Sequence, residues 1–261
     1  MKFACYTLGC KVNQYETQAM EQLLMQSGHT LGSFDEICDG YIINTCTVTA
    51  VSDKKSRNAI RRVRKLNPNA VVGVCGCYAQ SSPDEIRKLD VDVLIGTDGR
   101  EAFVRHMIGA AQTRQKWDCV DDAGGPRTFE ILPAGGLAAR TRALLKVEDG
   151  CNNFCTYCII PYARGRVRSM PLDAAVAEAH CMETAPHAFS SGILLAASLH
   201  FSAGLSNGAM VELDMTENGL RAGLLKEPFK AVNGYVELDD TKYGLGIELD
   251  ESVIEKYRVE L

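Results

Sequence analysis

Four short apolar runs alternate with amphipathic stretches of helical period through the first 110 residues, and this alternation restricts the fold more than any other feature. Residues 3–8 (Phe-Ala-Cys-Tyr-Thr-Leu) read as a strand closed by Gly9-Cys10. Asn13 is placed to cap a helix, with Glu16 three residues on reaching back to it. Ala19, Met20, Leu23 and Leu24 then share one helical face, and Gly28 ends it. Tyr41-Ile42-Ile43-Asn44 is a second strand, and Ser52 or Asp53 opens the next helix, whose apolar stripe is Ala59, Ile60, Val63 and Leu66. Pro68 stops that helix. Ala70 to Val74 forms a third strand and Val91 to Ile95 a fourth. Between them Ser82-Pro83-Asp84-Glu85 starts a capped helix, and a last helix runs from about Arg100 to Ala110. Strands that alternate with helices pair in parallel beneath a helical cover, so the expected class is α/β.

In such sheets ligands bind beyond the carboxyl ends of the strands. Cys10, Cys46 and Cys77 each fall one to three residues past such an end, on three different strands. They are therefore expected on one edge of the sheet, where three thiols can share a metal centre. A lone cysteine is an ordinary small buried residue, but three at equivalent strand ends call for a cluster. Cys75 stands two residues before Cys77, and strand alternation points both to one side. Cys77 lies farther into the loop and is the preferred ligand. Cys5, Cys38, Cys119 and Cys181 have no such company and are expected to be packing residues.

A second group of thiols is local. Cys151, Cys155 and Cys158 are spaced C-x3-C-x2-C, directly after Arg142-Ala143-Leu144-Leu145-Lys146-Val147-Glu148, which reads as a strand. Thiolates are soft ligands that select iron–sulfur clusters, zinc or copper(I). A [4Fe–4S] cluster takes four cysteines, so three in one loop leave one iron open to a substrate. A structural zinc site pairs two short knuckles, and no second knuckle follows here. The spacing resembles that of radical S-adenosylmethionine enzymes, in which the open iron chelates the amino and carboxylate groups of the cofactor.

Composition supports an intracellular setting. Eleven cysteines with no charged and apolar leader at Met1-Lys2-Phe3-Ala4-Cys5 point to a reduced, cytoplasmic chain using thiols for metal chemistry. No apolar run reaches the roughly 20 residues of a membrane helix, so no membrane partner is expected. Ten of the eleven cysteines precede residue 160. Charge divides too: residues 181–261 hold 6 basic and 13 acidic side chains, against 22 and 20 in the remainder. The helix from Ser52 to Leu66 carries Lys54, Lys55, Arg57, Arg61, Arg62, Arg64 and Lys65, with Asp53 the single acid beside them in the sequence. Such a run suits a phosphate backbone. Arg164, Arg166 and Arg168 form a second basic group after the Cys151 loop.

Gly9-Cys10-Lys11-Val12-Asn13-Gln14-Tyr15-Glu16, Asn44-Thr45-Cys46-Thr47-Val48, Gly76-Cys77-Tyr78-Ala79-Gln80 and Val147-Glu148-Asp149-Gly150-Cys151 through Arg168 together resemble the radical S-adenosylmethionine tRNA methylthiotransferases. The form of the first motif is most similar to the branch acting on N6-threonylcarbamoyladenosine at position 37 of transfer RNA. The resemblance spans residues 1 to about 180 and six cysteines in order. It implies that Cys10, Cys46 and Cys77 hold an auxiliary [4Fe–4S] cluster that supplies sulfur. Cys151, Cys155 and Cys158 would hold the cluster that cleaves S-adenosylmethionine to a 5′-deoxyadenosyl radical. It further implies a methylthio group added at C2 of the adenosine, an anticodon-loop substrate and an electron donor.

The implied domains are an α/β methylthiotransferase domain over 1–112, a linker over 113–141 rich in Gly and Pro, and the start of a radical-enzyme partial barrel over 142–180. Residues 181–261 change kind. Ala185-Pro186-His187 through Asn207-Gly208, Met210 to Asp214 and Gly244-Leu245-Gly246-Ile247-Glu248-Leu249-Asp250 resemble the closing part of an enolase-superfamily barrel of the mandelate racemase kind. There His187 matches a frequent general base and Glu212 a rim position, but the acidic magnesium ligands of those sites have no counterpart. His187 beside proline reads as a loop residue. Two families meeting near residue 180 imply a chimera. The tail itself predicts a helix over 190–205, a strand over 209–215, a hairpin turn at Asn233-Gly234 and a capped helix after Asp250.

Overall fold

The computed structural model describes residues 1–47, 49–133, 144–171, 186, 191–204, 210–213, 218–239 and 241–258. Two compact units divide at residues 175 and 176. The first is built on the expected sheet. Strands β1 (Lys2–Thr7), β2 (Thr30–Leu31), β3 (Gly40–Thr45), β4 (Val71–Gly76), β5 (Val93–Ile95) and β6 (Trp117–Cys119) form one six-stranded sheet in the order β2-β1-β3-β4-β5-β6. Every pairing is parallel. The intervening helices are α1 (Lys11–Gln26), α2 (Ala50–Leu66), α3 (Cys77–Ser81), α4 (Pro83–Arg87) and α5 (Arg100–Thr113).

The period of two along the strands sorts the core into two faces. Tyr41, Ile43, Val72, Val74 and Leu94 pack with Ala59, Ile60 and Val63 of α2. Ile42, Val71, Cys75, Val93 and Ile95 pack with Met20 and Leu24 of α1 and Phe103, Val104 and Met107 of α5. Both faces are covered, which is why the strands read as continuous apolar runs rather than alternating ones. Gly73 lies under α5: a Cβ there would come 2.2 Å from Met107 Sδ and 2.8 Å from Phe103 Cζ. Gly73→Ala is therefore expected to lower the unfolding free energy by about 1–3 kcal/mol through overpacking. Chemical denaturation checks it, and an unchanged midpoint would show that Met107 and Phe103 yield freely.

Several boundaries differ from expectation. Helix α1 starts at Lys11 with Cys10 at its N-cap, so Asn13 lies inside the first turn and caps nothing. Helix α2 starts at Ala50, because the Thr49 hydroxyl accepts from the Ser52 backbone N–H and caps it earlier than Ser52 or Asp53. Within the stretch read as a linker, Trp117–Cys119 adds an edge strand, which leaves Cys119 exposed rather than packed. Cys5 and Cys38 do pack against the two core faces, and Cys181 lies outside the described residues. Of the stretch 142–148 read as a strand, residues 144–148 are described, and only Glu148 among them lies in a strand, β7 (Glu148–Asp149), which pairs antiparallel with β8 (Arg168–Ser169) across the turn of α6 (Ile160–Arg164).

The second unit holds α7 (Gly192–Gly204), α8 (Gly219–Ala222) and α9 (Glu251–Tyr257), with an antiparallel bridge between Leu225 and Leu249. Among its described residues, Leu195, Ala196, Leu199, Leu224 and Leu225 are buried and apolar. Asn233 (φ 51°) and Gly234 (φ 84°) make the expected hairpin turn between bridged Val232 and Tyr235. Asp250 caps α9, its carboxylate accepting from the Ser252 N–H at 2.9 Å. Residues 210–213 carry a single bridge position rather than the expected strand, and the rest of that stretch, with His187, lies outside the described residues. Among the described residues no helix is long and apolar enough to cross a membrane.

Candidate metal centre

Cys10, Cys46 and Cys77 follow the carboxyl ends of β1, β3 and β4, three neighbours in the sheet. Two glycines let their loops approach closely. Gly9 adopts φ 113°, and a Cβ there would stand 2.9 Å from Cys46 Cβ and 3.1 Å from its Sγ. Gly76 adopts φ 98° and passes so close to Thr45 that a Cβ would lie 2.4 Å from its carbonyl oxygen. Only glycine meets both demands at each point. The turn at Gly76 also separates the two candidate cysteines of β4. Cys75 stays in the sheet, wholly buried against α1 and α5, where burial pushes its thiol up to about 12. Cys77 opens α3 instead. Strand alternation, which pointed both thiols to one side, ends at Gly76.

Burial also raises the Cys77 thiol; Arg164 opposes that rise, while the Cys10 and Cys46 thiols add to it. All three thiols thus share one electrostatic neighbourhood. Cys10 is exposed, and its Sγ lies 3.8 Å from Asn13 Oδ1. Among the described residues no three Cys, His, Asp or Glu side chains are drawn together as ligands of a single metal ion. A four-iron cluster asks for something else, thiolates on separate irons. Three soft donors on one sheet edge fit three of those irons by their chemistry and leave the fourth open.

Cys151, Cys155 and Cys158 lie in the loop between β7 and α6. The loop is anchored at its ends: Cys151 N–H donates to Gly165 O at 3.0 Å and Val167 N–H to Asn152 Oδ1 at 3.1 Å. Cys158 N–H closes a turn on Cys155 O at 2.9 Å. Phe154 sits at φ 43°, a conformation non-glycine residues rarely adopt. Tyr157 is 90 % exposed and Cys155 is exposed, so the loop presents one thiol and an aromatic ring outward, while Cys151 and Cys158 are half-buried. Arg166 lies over the Phe154 ring, 5.7 Å from its centroid.

The segment after this loop is tied to α1 and α5 of the same unit through buried charge. Arg164 Nη1 donates to Glu16 Oε1 at 3.0 Å and to Asp149 Oδ1 at 2.9 Å, and its Nη2 donates to Asn13 Oδ1 at 2.6 Å. Arg100 Nη2 donates to Glu16 Oε2 at 2.9 Å, Lys146 Nζ to Asp149 Oδ2 at 3.2 Å, and Arg168 Nη2 to the same oxygen at 3.1 Å. Glu16 therefore does not reach back to Asn13. Asn13 Nδ2 instead donates to Leu8 O at 2.7 Å and Thr45 O at 3.0 Å, tying the Cys10 and Cys46 loops together. Sequence reasoning missed this network, although one signal was present. Glu16 stands three and four residues before Ala19 and Met20, a carboxylate on the buried stripe of its helix.

The basic residues sort in the same way. Arg164 and Arg168 are not surface groups; their guanidinium groups serve buried carboxylates. Arg166 is exposed. On α2, Arg57 pairs with Glu85, Arg62 with Asp35 and Arg64 with Asp92, acids supplied by other elements and invisible in the local run. Lys54, Lys55, Arg61 and Lys65 remain exposed. Arg61 and Arg64 also line a cavity of about 480 Å³ with Lys88 and Asp90.

Comparison with known proteins divides the chain as its chemistry does. Residues 2–96 match the Uncharacterized protein family UPF0004, and residues 172–253 match the Enolase C-terminal domain-like family. The threonylcarbamoyladenosine tRNA methylthiotransferase MtaB of Bacillus subtilis is 46% identical over 177 residues, covering 67% of this chain and 39% of that protein. The enzyme of the same name from Aquifex aeolicus is 39% identical over 177 residues, covering 67% and 43%. A tRNA-2-methylthio-N(6)-dimethylallyladenosine synthase of Thermotoga petrophila is 33% identical over 184 residues, covering 68% and 40%. The chain thus spans about two fifths of the length of the curated relatives it matches. Among solved structures, an enolase from Agrobacterium radiobacter aligns with 97% of this chain and 65% of its own, at 17% identity and a TM-score of 0.29. The front of the chain is similar to tRNA methylthiotransferases and its end to an enolase-type domain, as a chimera would be.

Proposed function

We propose that the first unit is the cluster-bearing part of a radical S-adenosylmethionine tRNA methylthiotransferase directed to N6-threonylcarbamoyladenosine at position 37, acting in the cytoplasm. The observation that carries this reading is the placement of Cys10, Cys46 and Cys77 on one sheet edge, in the same unit as the Cys151 loop. Cys10, Cys46 and Cys77 hold one [4Fe–4S] cluster, and Cys151, Cys155 and Cys158 hold the other. When bound, the clusters supply an electron for reductive cleavage of S-adenosylmethionine and sulfur for the product, the hard chemistry being theirs rather than the protein's. The chain's own groups position: Gly9 and Gly76 allow close approach, Asn13 joins two of the cysteine loops, and the outward face of the Cys151 loop admits the cofactor. An external donor provides the electron, and an unpaired anticodon loop offers an accessible base.

The matched relatives extend well beyond the shared 177 residues, and a different family follows here. That observation favours a second reading, an iron–sulfur and RNA-binding remnant without catalysis. Reconstituted full chain, given S-adenosylmethionine and a strong reductant, decides between them. Release of 5′-deoxyadenosine supports the enzyme, while iron uptake without it leaves the remnant.

RNA contact falls to the exposed cations of α2. Lys54→Glu, Lys55→Glu, Arg61→Glu and Lys65→Glu combined are expected to weaken transfer RNA binding about tenfold or more at low salt and to flatten its salt dependence. Arg57→Gln with Arg62→Gln should do much less, since both cations already face carboxylates. Filter binding over a salt series measures both, and equal losses would refute the assignment.

A further inference from the structure

Among the described residues, the buried charge network holds more cations than anions. Arg100, Lys146, Arg164 and Arg168 stand against Glu16 and Asp149, with side-chain exposures from 0% to 8%. The next carboxylate outward, Asp98, lies 4.0 Å from Arg168 and is shared with Arg127. The Nε atoms of Arg100, Arg164 and Arg168 are buried without a partner among the described residues. Uncompensated charge in a low-dielectric interior is costly, so such an excess calls for a nearby anion. The groups able to become anionic beside it are thiols. Asn13 Oδ1 accepts from Arg164 Nη2 at 2.6 Å and lies 3.8 Å from Cys10 Sγ. Helix α6, which ends at Arg164, packs against α3, which Cys77 opens.

We propose that Arg164, seated on Asn13 beside Cys10 and Cys77, is a positioning and charge-compensating residue of the centre at Cys10, Cys46 and Cys77, and that the buried cation excess holds that centre in its more anionic state. This rests on the reading that those three cysteines carry an iron–sulfur cluster. Reduction adds one electron and makes the centre more negative, so a fixed cation nearby favours the reduced form. Lys146 and Arg168 act in the same sense from farther away, because they reach the thiols only through Asp149 and Glu16. The role explains why residues following the second cysteine loop are buried against the first.

The test uses the full chain with Cys151, Cys155 and Cys158 changed to alanine, so that iron and sulfide load only the first centre. A reductive titration followed by absorbance then reads the ratio of reduced to oxidised centre. Arg164→Met is expected to lower that ratio at fixed potential about tenfold, equivalent to about 59 mV for a one-electron couple. Arg164→Lys, which keeps the charge, should stay near the parent, and Lys146→Met should fall by less. Full iron with an unchanged ratio in Arg164→Met overturns the proposal, as does a fall in Arg164→Lys equal to that in Arg164→Met. Should Arg164→Met not fold, Lys146→Met decides, and no change in it is equally fatal. A parent that takes up no iron is a different result, which removes the cluster reading itself.

Discussion

Replacing Cys10, Cys46 and Cys77 by alanine is expected to lower the iron of reconstituted protein from about eight to about four atoms per chain. Replacing Cys151, Cys155 and Cys158 should do the same by emptying the other centre, and all six together should leave none. The independence of the two sets follows from the fold. The first lies on the sheet edge after β1, β3 and β4, and the second in a loop anchored at Gly165 and Val167. Neither set supplies a backbone contact the other needs. Cys75→Ala, by contrast, should leave iron unchanged, because its thiol points into the core between α1 and α5 and is held protonated by burial. Iron and acid-labile sulfide assays measure all four outcomes. One zinc per chain with no iron in the wild type would contradict the cluster reading.

The second large effect is on stability. Glu16→Ala is expected to cost about 3–5 kcal/mol, the range for removing one member of a buried ion pair and leaving its partners uncompensated. Glu16 is wholly buried and faces Arg100, Arg164 and Lys146. Lys146→Met should cost far less, because both carboxylates keep guanidinium partners and the buried excess of cations shrinks. The sign of the charge, rather than burial as such, thus decides the cost. Urea denaturation distinguishes the two, and similar losses would mean that packing alone matters.

Acid should reproduce part of this effect. Burial would raise the Glu16 carboxyl, but Arg100, Arg164 and Lys146 overcome it and hold the group well below the usual carboxylate range. Asp149 is held down in the same way against burial, by Arg164 and Lys146. A carboxylate depressed in the folded state binds protons more readily once unfolded, so its stabilisation is complete above the ordinary value near about 4 and fades as pH falls toward the folded one. Unfolding midpoints should be level above about pH 5 and decline below it. Glu16→Ala should flatten that decline.

Much of the fold was legible because its signals are local. A run such as Tyr41-Ile42-Ile43-Asn44 shows in four residues that both its faces are buried, and the Ala59, Ile60, Val63 and Leu66 stripe shows the helical period. Helix starts were less legible. Cys10 replaced Asn13 at the N-cap of α1, since Asn13 has better partners in Leu8 and Thr45 on neighbouring loops. The edge strand at Trp117–Cys119 was missed because three residues among glycines and charges carry no period, and pairing with β5 alone defines them.

The sequence by itself determined where the thiols fall along the chain, and the order of strands then put Cys10, Cys46 and Cys77 on one edge. Ligand type and strand ends are short-range properties, written in a few neighbouring residues. Only the tertiary structure decided which charges face water. Arg164 and Arg168 look like a basic surface group beside Arg166, yet the partner that buries Arg164 is Glu16, 148 positions away. On α2 the acids that quiet Arg57 and Arg62 come from Glu85 and Asp35, which the helix's own sequence does not contain. A charge is free or compensated according to what lies within a few ångströms, and nothing local in a chain records that distance.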